Sequence, residues 1–295
     1  MASSLKNKFE DLAKPEEKPV IKAKKIQKAA TWSDRNVTSS AGGKQVKTAE
    51  GKKVAIWQSL TNARHSIVTS KKTEATTTPV EDPHVHELRV LTINPGHLKE
   101  FVQVSEKALA HKTKEGAKLI GYFNVTLGEC TNEVMQIWQW ESYKHREQAT
   151  ENLANNPAWE EYTKTVKPML QHQKYSIILQ FPFWPLNYSQ TKGGIYELRT
   201  YRLIPGAVWV WGDYWEQGLK HRSKYVQPVA AWYTEIGHLN TVHHLWRYDD
   251  MDQRRQLREA VWDEPGWSEI VELTHPLIQT MDSRILTPTD FSPLQ

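Results

Sequence analysis

The sequence predicts an α+β fold of two tandem units, each running strand, helix, strand, strand, helix, strand, behind a mostly disordered N-terminal segment. Three observations carry this. Stretches of period-two alternation and stretches with a 3.6-residue apolar stripe follow one another in that order. The order then recurs: Glu87-Leu88-Arg89 returns as Glu197-Leu198-Arg199 and Pro95-Gly96 as Pro205-Gly206, both at an offset of 110. Further on, Trp138, Arg146, Pro157, Trp159 and Pro168 return as Trp246, Arg254, Pro265, Trp267 and Pro276, all at an offset of 108. A repeat unit of about 105 residues is too long for a solenoid repeat and fits a duplicated domain. The plan is the ferredoxin-like split βαβ arrangement, and two such sheets in one chain can cover each other, closing an α+β barrel between the halves. The expected boundaries are 1–85, 86–190 and 191–295.

Residues 1–85 hold 16 Lys and Arg against 9 Asp and Glu, a net of +7, so the remaining chain sums to −3 within the overall +4. Leu5, Phe9 and Leu12 make a short stripe before Pro15, bracketed by lysines as in a mitochondrial transit segment. Glu10, Asp11, Glu16 and Glu17 argue against one. The Lys- and Ser/Thr-rich remainder reads as a solvated tail that could touch anionic lipid peripherally.

Order begins near Val85. Val85 to Ile93 alternates as a strand, and Asn94-Pro95-Gly96 turns it. Leu98, Phe101, Val102, Ser105 and Leu109 trace a helical stripe. Strands follow at about Leu119 to Leu127 and Glu133 to Trp140, then a helical region from Ser142 to Leu153 broken by Asn155-Asn156-Pro157. Trp159, Tyr162, Val166 and Leu170 mark a further helical face, and Tyr175 to Phe181 closes the unit as a strand. Pro182, Pro185 and Gly193-Gly194 form a linker before the second copy. The two-residue change of offset is assigned between Gly121 and Trp138, to a shorter second hairpin loop, since loops absorb such changes.

That second hairpin, Ala231 to Tyr248, closes around Gly237, His238 and Leu239. On its second strand Val242, His244, Trp246 and Tyr248 share one face, and Thr241, His243, Leu245 and Arg247 share the other. Bulk on both faces predicts a strand sandwiched between two layers, and the shared Trp138 and Trp246 point to barrel packing.

Composition excludes several classes. The folded part carries no basic footprint for nucleic acid. A single cysteine, Cys130, excludes an intrachain disulfide and suggests a reducing compartment. No apolar run is long enough for a membrane-spanning helix. The sequence holds no Gly-rich phosphate loop, Gly-x-Ser-x-Gly, His-Glu-x-x-His or Cys-x-x-Cys, so no catalytic residue, metal site or cofactor is assigned.

The residues that could still line a pocket are Glu197, Arg199, His244, Trp246 and Tyr248. Glu197 and Arg199 lie two apart on a strand, as do Glu87 and Arg89; an ion pair satisfied within the sheet is the commoner meaning. His243 and His244 point to opposite faces and cannot chelate one metal together, so a hydrogen-bonded core histidine is the simpler reading of His244, with a pocket facing the barrel or the helices the alternative. His84 and His86 form a lone His-x-His with no third ligand. Trp211 and Trp215 fall on the core stripe of their helix; Trp209 lies off it, where it could meet another chain. In the tail, Phe9-Glu-Asp-Leu12 and Trp57-Gln-Ser-Leu60 fit an aromatic-x-x-Leu motif able to add to a partner's sheet edge.

The chain resembles the NIPSNAP family. The resemblance rests on Ile195-Tyr-Glu-Leu-Arg-Thr-Tyr, Pro205-Gly206, Trp211-Gly-Asp-Tyr-Trp, His243-His-Leu-Trp-Arg-Tyr, Pro265-Gly-Trp, Pro276-Leu-Ile-Gln-Thr-Met-Asp-Ser-Arg-Ile and Ser292-Pro-Leu-Gln. It is dense over 195–295, looser over 86–190, and largely lost over 1–85. It implies two domains of the dimeric α/β-barrel type, with homo-oligomer formation open. It also implies mitochondrial association, in the matrix or at the surface when import fails; a cytoplasmic protein is the fallback. The role it implies is non-enzymatic scaffolding in mitochondrial quality control, recruiting autophagy adaptors and ubiquitin-like modifiers in mitophagy, or a part in vesicular transport. The competing expectation is an enzyme or small-ligand carrier, of haem for example, using the aromatic strand face.

Overall fold

The computed structural model describes residues 84–188 and 193–295, all of them within one compact unit. The first repeat runs β1 (Val85–Ile93), α1 (Leu98–Lys114), β2 (Lys118–Leu127), β3 (Glu133–Trp140), α2 (Tyr143–Ala154), α3 (Pro157–Val166) and β4 (Leu170–Gln180). The second runs β5 (Ile195–Leu203), α4 (Val208–Arg222), β6 (Gln227–Ile236), β7 (Thr241–Tyr248), α5 (Met251–Ala260), α6 (Trp267–Thr274) and β8 (Ile278–Pro288). Both repeats are therefore ferredoxin-like. All eight strands join in one closed barrel, ordered β1-β3-β2-β8-β5-β7-β6-β4.

Closure answers the edge problem that each four-stranded sheet would have alone. The outer strand of one repeat pairs with the hairpin edge of the other, Val125 with Leu286 on one seam and Leu179 with Tyr233 on the other. Inside, Leu88, Ile137, Leu198, Trp232, Leu245 and Leu286 fill the barrel with apolar side chains. Outside, each half carries its own helical layer over a second apolar core.

Local chemistry sets the helix ends. Ser142 Oγ accepts the His145 backbone N–H at 3.1 Å and Asp250 Oδ1 accepts that of Gln253 at 2.7 Å, satisfying donors that the first turn leaves free. Asn156 caps α3 through its side chain, with Pro157 in the first turn. The strand expected from Tyr175 begins instead at Leu170, because a 3₁₀ turn over Lys167–Met169, with Pro168 in it, ends the helix and frees the chain to pair along all of β1. Leu170 thus belongs to a strand, and not to the helical face expected to hold it.

The offset between repeats also resolves differently. The registers on β3 and β7 match Lys118 with Gln227 and Phe123 with Trp232. The first residue is thus lost between helix and strand and only the second in the hairpin loop. That loop spans the four positions 237–240, with Asn240 left-handed at φ 54°. The linker returns to the barrel through Gly194, at φ 96°. A Cβ there would stand 2.5 Å from the Tyr248 carbonyl oxygen. Gly194→Ala is therefore expected to cost about 1–3 kcal/mol, read as a lowered urea midpoint at unchanged m-value.

Candidate functional site

Strand alternation puts Glu87, Arg89 and Leu91 of β1 on the helix-facing side, with Gln136, Trp138 and Trp140 of β3 beside them. Glu87 is fully buried. It accepts Arg89 Nε at 2.8 Å, Trp140 Nε1 at 3.1 Å and Arg146 Nη2 at 3.3 Å. Burial alone would raise this carboxyl, but the charges of Arg89, Lys112 and Arg146 outweigh it and hold it below the usual carboxylate range. The ion-pair reading of Glu87 and Arg89 thus holds, within a larger cluster.

Lys112 comes from α1 and is as buried as the core around it. Its Nζ lies 4.0 Å from the Trp138 ring centre and 3.7 Å from Glu87 Oε2, too far for a hydrogen bond, and has no hydrogen-bond partner among the described residues. Burial first, then the charges of Arg89 and Arg146, push this amine well below its ordinary range against the pull of Glu87. Glu87 is already paired by two guanidinium groups, so Lys112 is the surplus cation of the cluster.

Beside this cluster opens a cavity of about 240 Å³, between α1 and α3 and the sheet. Its buried wall combines Phe101, Ala108, Trp138 and Val166 with the polar Ser105, Lys112 and Gln136, and its rim carries Arg89, Lys167, Gln173 and Tyr175. The Arg89 guanidinium lies 4.4 Å from the Tyr175 ring centre. Its Nε is committed to Glu87, while its two terminal nitrogens have no protein partner among the described residues. Gln136 Oε1 accepts Trp138 Nε1 at 2.9 Å. An indole nitrogen only donates, so this bond fixes the amide and leaves its nitrogen as a donor elsewhere. Ser105 Oγ and Tyr162 Oη hydrogen-bond at 3.1 Å across the gap between the two helices.

The second repeat builds the same cluster around Glu197, also fully buried. Arg254 Nη2 donates to it at 2.6 Å, Ser283 Oγ at 2.7 Å and Tyr248 Oη at 3.3 Å. Arg199 and Arg258 stand at 3.8 and 3.7 Å. Burial would raise Glu197; the Arg254 hydrogen bond and the charges of Arg199, Arg254 and Arg258 instead hold it at about 2. Arg222 occupies the place of Lys112, over Trp246 at 4.8 Å.

Here, however, the space is filled. At the offset of 110, Leu91, Phe101 and Ser105 become Tyr201, Trp211 and Trp215. Gln136 becomes His244, at 108. These side chains close on one another, with His244 4.4 Å from Trp215 and 5.1 Å from Tyr201. Trp184, from the chain leaving the first repeat, adds a further ring at 4.8 Å from His244 and 4.6 Å from Trp246. The corresponding point after the second repeat is Ser292, whose hydroxyl accepts the Tyr122 backbone N–H at 3.0 Å.

The structure therefore brings Glu197, Arg199, His244, Trp246 and Tyr248 together, but on the helix side of the sheet. The barrel-packing reading of Trp138 and Trp246 is corrected: both faces of these strands are buried, and the barrel interior takes Leu245 and its neighbours instead. His244 lies in an aromatic box with both ring nitrogens unpartnered among the described residues, not the hydrogen-bonded histidine expected. That description fits His243, which faces inward and bonds Thr200 Oγ1 at 3.0 Å and Thr234 Oγ1 at 3.2 Å. Trp211 and Trp215 are core residues, while Trp209 is half exposed and packs edge-on against Tyr233 at 5.1 Å. Phe9, Leu12, Trp57 and Leu60 lie outside the described residues.

Sequence reasoning alone passes over Lys112, Gln136 and the open pocket. One signal does point there: Ser105 sits on the core stripe at the place where the other repeat has Trp215.

Comparison with known proteins places this arrangement. The NIPSNAP family model matches residues 86–185 and 196–293, one match to each repeat. The chain is 32% identical over 235 residues to Protein NipSnap homolog 1 of Danio rerio, across 78% of this chain and 81% of that one. It is 33% identical over 219 residues to Protein NipSnap homolog 2 of Homo sapiens, across 73% and 76%. Among solved structures, a monooxygenase-like protein of Lactobacillus acidophilus superposes with a TM-score of 0.53 over 70% of this chain and 94% of that one. At 12% identity this is a likeness of fold. With both repeats matched in full and two relatives aligned over most of their length, the chain belongs to the NIPSNAP family.

Proposed function

We propose that this chain is a binding protein, with a small-ligand site in its first repeat and a second repeat given over to structure. The observation that carries this reading is the asymmetry between equivalent positions: one pocket is open and its copy is packed shut with tryptophan. Duplicated domains that differ only by drift have no reason to keep a 240 Å³ cavity in one copy, since unfilled core volume costs stability. Binding is favoured over catalysis because Glu87, which adjoins the lining residues Arg89 and Lys112, is tied up by Arg89, Arg146 and Trp140 and is not free to move a proton. The small-ligand alternative expected on the second repeat's aromatic face moves to the first repeat.

NIPSNAP membership and the basic residues 1–85 support the finer reading that the protein works as a scaffold in mitochondria, recruiting autophagy adaptors or ubiquitin-like modifiers. No helix among the described residues is long and apolar enough to cross a membrane. Deleting residues 1–83 from a tagged chain is expected to abolish delivery to mitochondria while the barrel keeps its cooperative unfolding transition. Unchanged mitochondrial delivery of the truncated chain would end the targeting reading. Loss of the transition would show instead that the tail is part of the folded unit.

A further inference from the structure

The pocket of the first repeat has a polarity that specifies its occupant, provided that the pocket is the binding site proposed above. Phe101, Ser105 and Trp138 at its deep end are almost wholly buried, whereas Arg89 and Tyr175 at the rim reach solvent. The deep end offers ring faces and aliphatic walls, with the Ser105 hydroxyl, the Gln136 amide and the Lys112 amine set among them. The rim offers a guanidinium whose two terminal nitrogens have no partner among the described residues, held in place by its bond to Glu87 and by the Tyr175 ring. A guanidinium fixed in this way matches a carboxylate in a planar, bidentate contact.

The local charge has the same sense. One carboxylate, Glu87, stands between the Arg89 and Arg146 guanidinium groups, leaving an excess of positive charge around the cavity. Among the described residues, no Asp or Glu lines the cavity wall itself. Size allows one ring: an engineered cavity of about 150 Å³ takes up benzene, so about 240 Å³ has room for a single ring with a small substituent.

We propose that the first-repeat pocket binds a single-ring aromatic carboxylate, its ring against Phe101 and Trp138 and its carboxylate on Arg89. The second repeat shows what it takes to lose such a site. Ser105 is replaced there by Trp215, and Ala108 by Gly218, whose missing Cβ would stand 2.9 Å from Ile270 Cγ2 and 3.6 Å from the Trp215 ring. The chain thus contains a plug that a ferredoxin-like repeat accepts.

The test uses the full chain and three probes: benzoate, benzyl alcohol as its neutral counterpart, and hexanoate as an anion without a ring. Binding is measured by tryptophan fluorescence and calorimetry. Two variants accompany the native chain, Arg89→Gln and the transplanted plug Ser105→Trp with Ala108→Gly. The expected result is saturable binding of benzoate below about 1 mM and at least tenfold weaker binding of the other two probes. Arg89→Gln should erase the preference for benzoate over benzyl alcohol, and the plug should abolish binding of every probe while the urea transition persists.

Equal binding of benzyl alcohol and benzoate by the native chain overturns the carboxylate assignment and leaves the pocket as a neutral site. Hexanoate binding as tightly as benzoate overturns the aromatic assignment. Benzoate binding that survives the plug places the ligand elsewhere and overturns the proposal. No saturable binding of any probe overturns both the ligand class and the binding reading of the pocket.

Discussion

Replacing Glu197 by Gln is expected to remove about 3–5 kcal/mol of folding stability, read in the urea midpoint of the full chain. The two side chains have the same shape, so the change isolates charge. Glu197 has no contact with water and stands within ion-pair distance of Arg199, Arg254 and Arg258. Gln would leave the three guanidinium groups crowded together without a counter-ion, and Arg cannot shed its proton to relieve the repulsion. The equivalent Glu87→Gln is expected to cost less. One of its three cations is Lys112, already pushed toward the neutral amine by burial and by Arg89 and Arg146. A loss below about 1 kcal/mol at Glu197 would mean that water screens the cluster as it does a surface pair, since Arg254 and Arg258 are partly exposed. Equal losses at the two positions would show that Lys112 stays charged in the folded protein.

The difference between those clusters marks the limit of what strand alternation reveals. Period two places Glu197 and Arg199 on one face and separates His243 from His244, and the structure keeps both statements. It also bounds β1 and β3 to the residue, β1 ending at the Asn94-Pro95-Gly96 turn and β3 lying between the hairpin loop and the Ser142 cap. Alternation does not say which face is inner when both are buried. Trp138 and Trp246 therefore read as barrel packing, although the interior is filled by Leu88, Ile137, Leu198, Trp232, Leu245 and their neighbours, and Trp138 and Trp246 lie under the helices.

The pocket is hidden for a different reason. A cavity belongs to no residue; it appears only where two copies of one stripe are compared position by position. Ser105 against Trp215 is the sequence trace of that comparison, but it becomes interpretable once the helices are known to start at equivalent residues, Leu98 and Val208. Lys112 escapes notice because a lysine ahead of Thr113 and Lys114 reads as a solvated helix end, where lysines normally are. Its burial is a tertiary fact, set by Trp138 and Trp140 on the strand beneath.

Acid should unfold this protein in a range where its carboxylates are still ionised. Three histidines are buried as neutral rings. Burial, then His84 and Lys118, lowers His86 to about 4; burial, then Arg284, lowers His243 to about 4. Burial, with Arg199, Arg222 and His243, pushes His244 well below the usual imidazole range. The folded state thus refuses protons that the unfolded chain takes up below about pH 6.5. Stability is complete above that pH and falls as pH drops toward 4, by up to about 4 kcal/mol per pH unit while three protons are withheld. Glu87 and Glu197 work in the same direction but only at lower pH, because their folded values are depressed from an ordinary value near 4.5. The two windows therefore separate, with the histidine loss first. Urea midpoints between pH 7.5 and 4.5 check this, and stability that stays level across the range would show that the three rings take up protons in the folded protein. His244→Phe assigns the slope. The imidazole has no hydrogen-bond partner to lose and sits among Trp184, Trp211, Trp215 and Tyr201. A ring of similar shape without polar atoms should leave stability at pH 7.5 unchanged or higher and reduce the acid slope by about one third. An undiminished slope in that variant would move the withheld protons to His86, His243 and groups beyond them.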